Sequence, residues 1–151
     1  MNNLTLFLLC GVPASGKTTY SKQLAEEHNA VRHSYDDMPN ARVHDYKLSQ
    51  EVHRQWLENI KNDLLNGRSV VADNTSLNVE FRMKFLSELS NIPCKKVLII
   101  MDTPIDVCIS RNSQRQGVER VPDNAIKMAH YFYEKPSPFE MWDEIKVIRN
   151  D

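Results

Sequence analysis

Glycine is scarce in this sequence: four residues in 151, at Gly11, Gly16, Gly67 and Gly117. The composition therefore supplies no flexible Gly-rich linker, and no stretch rich in Ser or Pro divides the chain. Without internal repeats or low-complexity tracts, a single domain over 1–151 is expected, large enough to bury a core without staples. Cysteines are few and odd in number. Cys10, Cys94 and Cys108 lie in or beside apolar runs, which suits small buried side chains in a reducing compartment. Neither they nor the five histidines show a metal-ligand spacing. An excess of one charge is also missing. A formal net charge of −1 with 41% hydrophobic residues excludes a disordered chain and the broad basic surface that wraps long duplexes. A nucleic-acid end or a single nucleotide stays compatible. The apolar run Leu4 to Cys10 is much too short to cross a bilayer, and no basic lead or cleavage site accompanies it. A cytoplasmic protein with no membrane association and no obligate protein partner is expected.

What is present begins with that same run. Leu4-Thr5-Leu6-Phe7-Leu8-Leu9-Cys10 reads as a strand feeding Gly11-Val12-Pro13-Ala14-Ser15-Gly16-Lys17-Thr18, and Tyr20 to Glu27 reads as a helix. Gly, four free positions, Gly, Lys and Thr between strand and helix make a P-loop, whose successive backbone N–H groups face phosphate oxygens. Gly11 and Gly16 allow close approach, Lys17 brings a point charge to the β- and γ-phosphates, and the Thr18 hydroxyl suits Mg²⁺. The backbone of Val12, Pro13, Ala14, Ser15 and Thr19 completes the cradle at a helix N-terminus.

Further elements alternate. Ala30–Tyr35 is a second strand, ended by Asp36-Asp37-Met38-Pro39-Asn40. From Leu48 a helix shows Val52, Trp56, Ile60 and Leu64 every fourth residue, with Leu57 and Leu65 widening the stripe, and Gly67 stops it. Ser69–Asp73 is a third strand. Asn78 caps a helix whose core face includes Phe81, Phe85, Leu86 and Leu89. Lys96–Asp102 is a fourth strand, Ile105–Arg115 a helix, and Pro122 opens another helix through Met128, Ala129, Phe132 and Tyr133. Glu134-Lys135-Pro136-Ser137-Pro138 ends it; Phe139 and Trp142 then pack on the core, and Ile145–Ile148 is a last strand. Continuous apolar strands alternating with helices predict an α/β layer with a mainly parallel sheet. Ligands bind such sheets at the loops after the strands, so the P-loop, Asp36, Asp37 and Asp73 are expected to converge.

Phosphoryl transfer needs a phosphate cradle, a metal, a proton acceptor and positive charge that meets the transition state. Asp36 or Asp37 is placed to accept the proton of an attacking hydroxyl, or serves as a turn former. Asp73, at the end of an apolar strand, is placed to hold Mg²⁺. Arg111-Asn112-Ser113-Gln114-Arg115-Gln116-Gly117-Val118-Glu119-Arg120 gathers three arginines around a short polar loop, the composition of a mobile lid.

With these motifs the chain resembles the P-loop kinases of the polynucleotide 5′-hydroxyl kinase type over nearly its whole length. Gly11 to Thr18 is similar to their Walker A loop, Asp36-Asp37 to their paired aspartates, Val71 to Asn78 to their strand-three loop, and Arg111 to Arg115 to their lid. The resemblance implies a P-loop three-layer sandwich of about five strands in the order 2-3-1-4-5. It also implies Asp36 as general base, Arg115 with Arg111 as lid arginines, and ATP with Mg²⁺, the γ-phosphate passing to a 5′-OH. The basic residue that closely follows the aspartates in phage enzymes is displaced here to Arg42. The tail Glu134 to Asp143, together with Arg111-Asn112, also resembles seryl-tRNA kinases of selenocysteine synthesis. An aminoacyl-tRNA or small-metabolite kinase is the nearest alternative, and a nucleotide-binding regulatory module the alternative of another class.

Overall fold

The computed structural model describes residues 3–149. Five strands, β1 (Thr5–Cys10), β2 (Val31–Ser34), β3 (Val70–Asp73), β4 (Lys95–Asp102) and β5 (Glu144–Arg149), form one sheet in the order β2-β3-β1-β4-β5. Every neighbouring pair is parallel, with Leu8 opposite both Ala72 and Leu98. This is the expected P-loop sandwich, and its order puts β1, with the phosphate loop, in the middle. None of the helices is long and apolar enough to cross a membrane among the described residues.

Strand alternation explains why the runs are continuously apolar. Leu6, Leu8 and Cys10 face one side, where they pack with Trp56, Ile60 and Leu64 of α2 (Tyr46–Leu65) and Phe85 of α3 (Val79–Glu88). Phe7 and Leu9 face the other, against Leu24 and Ala25 of α1 (Lys17–His28). Caps set the helix ends. Asp45 accepts from the Leu48 N–H at 3.0 Å and Asn78 from the Phe81 N–H at 2.7 Å, while Asn29, at φ 50°, turns α1 off in the left-handed region.

Several packing expectations are corrected. Leu65 is 70% exposed, because the inward stripe of α2 widens only through Leu57. The helix after β4, α4, spans Ile105–Ser113 and stops short of Arg115, as the N–H groups of Gln114 and Arg115 bond three residues back to Arg111 and Asn112. In α5 (Asp123–Phe132) Pro122 precedes the first turn, and Ile126 alone is fully buried, whereas Met128 and Phe132 face outward. Phe139 is 77% exposed; Trp142 does pack inward.

The tail is held instead by a charge pair. Arg82 and Glu140 have no exposed side-chain surface and meet at 2.8 Å. Arg82 also donates to the carbonyls of Ser76 and Glu134, each at 2.8 Å, and Glu140 accepts from the Ser137 N–H and the Trp142 indole. Burial raises the Glu140 pKa, but the bonds from Arg82, Trp142 and Ser137 outweigh it, so the carboxyl stays below its ordinary value of 4.5. Removing one partner of such a pair costs about 3–5 kcal/mol because the other charge is stranded. Glu140→Ala is expected to lose that much in urea unfolding at pH 7, and pairing it with Arg82→Met to recover much of the loss. A depressed folded pKa contributes stability above about pH 4.5 that disappears as pH falls through the folded value. The acid limb of the stability profile should therefore flatten in Glu140→Ala.

Candidate active site

The loop after β1 follows directly from steric demand. A Cβ on Gly11 would lie 2.7 Å from Ser15 Oγ and 3.0 Å from Met101 Cβ, so no other residue fits without displacement. Ala14 and Gly16 take positive φ (64° and 99°), and α1 starts immediately afterwards. The loop is braced at three points. The Gly11 N–H donates to Thr75 O after β3 at 3.0 Å, Thr103 Oγ1 after β4 donates to Ser15 O at 2.7 Å, and Val12 and Ala14 pack with Cys108 of α4 and Ile126 of α5. The lid-bearing helices thus rest directly on the phosphate loop.

Lys17 lies half-buried at the head of α1 and curls back, Nζ donating to Gly11 O at 2.9 Å and Val12 O at 3.0 Å. Burial pushes its pKa down; the charges of Asp73, Asp36 and Cys10 oppose this, and Arg115 adds to it. The acids that follow β2 and β3 and the arginine beyond α4 therefore all act on the P-loop lysine. Burial raises the neighbouring Cys10 thiol to about 11, with Arg82 and Lys17 holding it lower than burial alone would. All three cysteines are free thiols, Cys94 the least buried.

Asp73 ends β3 at 5% exposure, and its Oδ2 accepts from Ser21 Oγ and from the Arg32 guanidinium, both at 2.9 Å. Thr18, in the first turn of α1, is exposed. Among the described residues no three His, Cys, Asp or Glu side chains gather as a metal cluster. The Thr18 hydroxyl and the Asp73 carboxylate could supply two hard oxygens. Such a sparse set fits Mg²⁺, which keeps several waters and takes its other ligands from phosphates.

Asp36 and Asp37 sit in a 3-10 turn, Tyr35–Asp37, fixed from below by the Trp56 indole, which donates to His33 O at 3.0 Å and packs edge-on against Tyr35. Both carboxylates are exposed but directed differently. Asp36 faces Arg42 at 3.7 Å, and Asp37 faces Arg32 at 3.4 Å. Arg42 lies six positions beyond Asp36, yet turns at Ala41 and Val43 bring it back, and it also donates to Val118 O in the lid loop at 2.8 Å. In that loop Arg115 donates to Glu119 O at 3.4 Å, while Arg111 occupies the last turn of α4 beside Cys108. Asn112, fully buried, closes the loop's base by bonding both the N–H and the carbonyl of Val121.

Asp36, Asp73 and Arg115 each lie within electrostatic reach of Lys17, and Asp37 is turned aside toward Arg32. Ser21, Arg32, Asn112 and Arg82 were not identified from sequence. The available signals were Ser21, one turn after Thr18 on the same helix, and an arginine between Val31 and His33 on a short strand. On the β4–β5 side of the P-loop, opposite the acids, a cleft of about 440 Å³ is lined by Gly11, Val12, Asp102, Thr103, His130 and Tyr133 among others.

Known proteins share this architecture. Protein kti12 of Schizosaccharomyces pombe is 22% identical over 98% of this chain and 58% of its own length. The L-seryl-tRNA(Sec) kinase of Methanococcus maripaludis is 26% identical over 91% of this chain and 56% of its own. The chain therefore spans a little over half the length of these curated relatives. A chain of the Pnkp1/Rnl/Hen1 RNA repair complex superposes with a TM-score of 0.78 at 18% identity, over 87% of this chain and 44% of that one, a likeness of fold. A family model described as an AAA domain matches residues 6–136, most of the chain, and the chain belongs to that family.

Proposed function

We propose that the protein is an ATP-dependent kinase that transfers the γ-phosphate to a hydroxyl, the 5′-OH of a nucleic-acid end. The observation that carries this reading is the placing of an acid beside the P-loop flank: the exposed Asp36 carboxylate on the turn after β2 faces Arg42 at 3.7 Å, and Arg42 bonds Val118 O in the same loop that carries Arg115. A switch that only binds nucleotide needs no acid there; a transferase does.

In this reading Lys17 leaves the Gly11 and Val12 carbonyls for the phosphates, joined by the backbone N–H groups where the loop enters α1, Gly16 to Thr19. Thr18 and Asp73 would hold Mg²⁺, which would neutralise charge on the nucleotide phosphates. Asp36 accepts the proton as the acceptor oxygen bonds to the γ-phosphorus and the bond to the β–γ bridging oxygen breaks, releasing ADP. Arg115, with Arg111, meets the charge on the transferring group. The cleft beside β4 has the size of small-ligand sites and supports placing the nucleoside of ATP on that side.

Arg42 supports the choice of acceptor. It is an exposed guanidinium 3.7 Å from Asp36, so a hydroxyl held at Asp36 would have a phosphate-binding group next to it, as a nucleotide end requires. Three free cysteines support a reducing, cytoplasmic setting.

The test is incubation with γ-labelled ATP and Mg²⁺ against 5′-OH DNA and RNA oligonucleotides, charged seryl-tRNA, nucleosides and sugars. Label on the oligonucleotide 5′ end is expected. Label confined to seryl-tRNA or to a small metabolite would replace the acceptor, and ATP binding with no labelled product would overturn the transferase reading. Hydrogen bonds to charged groups contribute about 1.5–3 kcal/mol. Lys17→Ala should accordingly weaken ADP binding roughly 10- to 100-fold in a fluorescent-nucleotide titration.

A further inference from the structure

Arg32 is an arginine on β2 with only 16% of its side chain exposed. In the parallel register it lies opposite Val71, whose side chain packs on the α1 face of the sheet. From there its guanidinium reaches three groups. Nε donates to Ser21 Oγ at 2.7 Å, one terminal nitrogen donates to Asp73 Oδ2 at 2.9 Å, and the other faces Asp37 at 3.4 Å. Ser21 itself bonds the same Asp73 oxygen. A planar fork is needed for this, since an ammonium is a point charge that cannot address α1, β3 and the β2 turn in one plane.

We infer that Arg32 is a positioning residue for the metal-facing carboxylate: with Ser21 it pins Oδ2 of Asp73, so that Oδ1 is presented toward the nucleotide-bound Mg²⁺. This rests on the proposed metal role of Asp73. Through Asp37, the same guanidinium ties the metal-facing carboxylate to the turn that carries Asp36. A buried ion pair is a weak source of net stability against an apolar replacement, so orientation, not stability, is the role that the geometry fits.

The experiment is titration of fluorescent ADP into the full chain and Arg32→Gln, each in EDTA and in saturating Mg²⁺, with thermal unfolding as a fold control. Loss of an outer partner of a metal ligand typically lowers metal affinity about 10- to 100-fold. The gain in ADP affinity on adding Mg²⁺ is expected to shrink by that order in Arg32→Gln, with affinity in EDTA unchanged. An unchanged Mg²⁺ gain, or an equal loss in EDTA and Mg²⁺, would overturn the inference and leave Arg32 a tie between β2 and α1. Because binding is read without any acceptor, failure of the transferase reading would not produce either result. A chain with Arg32 intact and no Mg²⁺ gain at all would overturn the metal role of Asp73 and this inference together.

Discussion

A guanidinium with no access to water must find partners for every donor or the fold cannot hold it. Arg82 meets that constraint with Glu140, the Ser76 carbonyl and the Glu134 carbonyl. Those three partners belong to two segments far apart in sequence, the loop after β3 and the tail before β5. Thr75, adjoining Ser76, takes the N–H of Gly11. The first residue of the P-loop is therefore hung on the loop that Arg82 holds, and the tail that reaches β5 is fastened to the same point.

From this anchor the rest of the site follows by topology. A parallel sheet with β1 central sets the phosphate loop between two flanks: Asp73 and the Asp36 turn on the β3–β2 side, the lid and the cleft on the β4–β5 side. Neither flank floats. Tyr35 and Trp56 seat the acidic turn on α2, while Val12 and Ala14 seat the P-loop on the lid helices. Arg42 spans the gap between flanks, facing Asp36 and bonding Val118 O. The proposed base and the lid loop are thus in contact through one side chain.

Much of this was legible because local chemistry and tertiary need coincide. Gly11 to Thr18 announces its own geometry, the burial of β1 on both faces appears as an unbroken apolar run, and Asn78 caps the helix its spacing predicts. The readings that failed involve partners that local pattern cannot name. Nothing in the local pattern around Arg82 marks it for burial; its charged partner, Glu140, lies 58 residues on. Phe139 looked like a core residue, but Glu140 beside it carries the inward contact, so the aromatic ring faces out. The local pattern carries α4 on to Arg115, but the helix ends at Ser113, where the Gln114 and Arg115 N–H groups bond three residues back. Arg42, apparently too far from the aspartates by count, comes back through turns that no periodicity records.

The claim that joins both flanks is that Asp36 receives the proton of a hydroxyl attacking a phosphate held by Lys17. Asp36→Asn tests it most directly, because the substitution keeps shape and removes the basic oxygen. Positioned acid–base groups contribute roughly 10²- to 10⁴-fold, so transfer from labelled ATP to the accepted substrate should fall by that order while ADP affinity stays as in the unaltered chain. Full transfer in Asp36→Asn, or loss of nucleotide binding in parallel with transfer, would contradict the account.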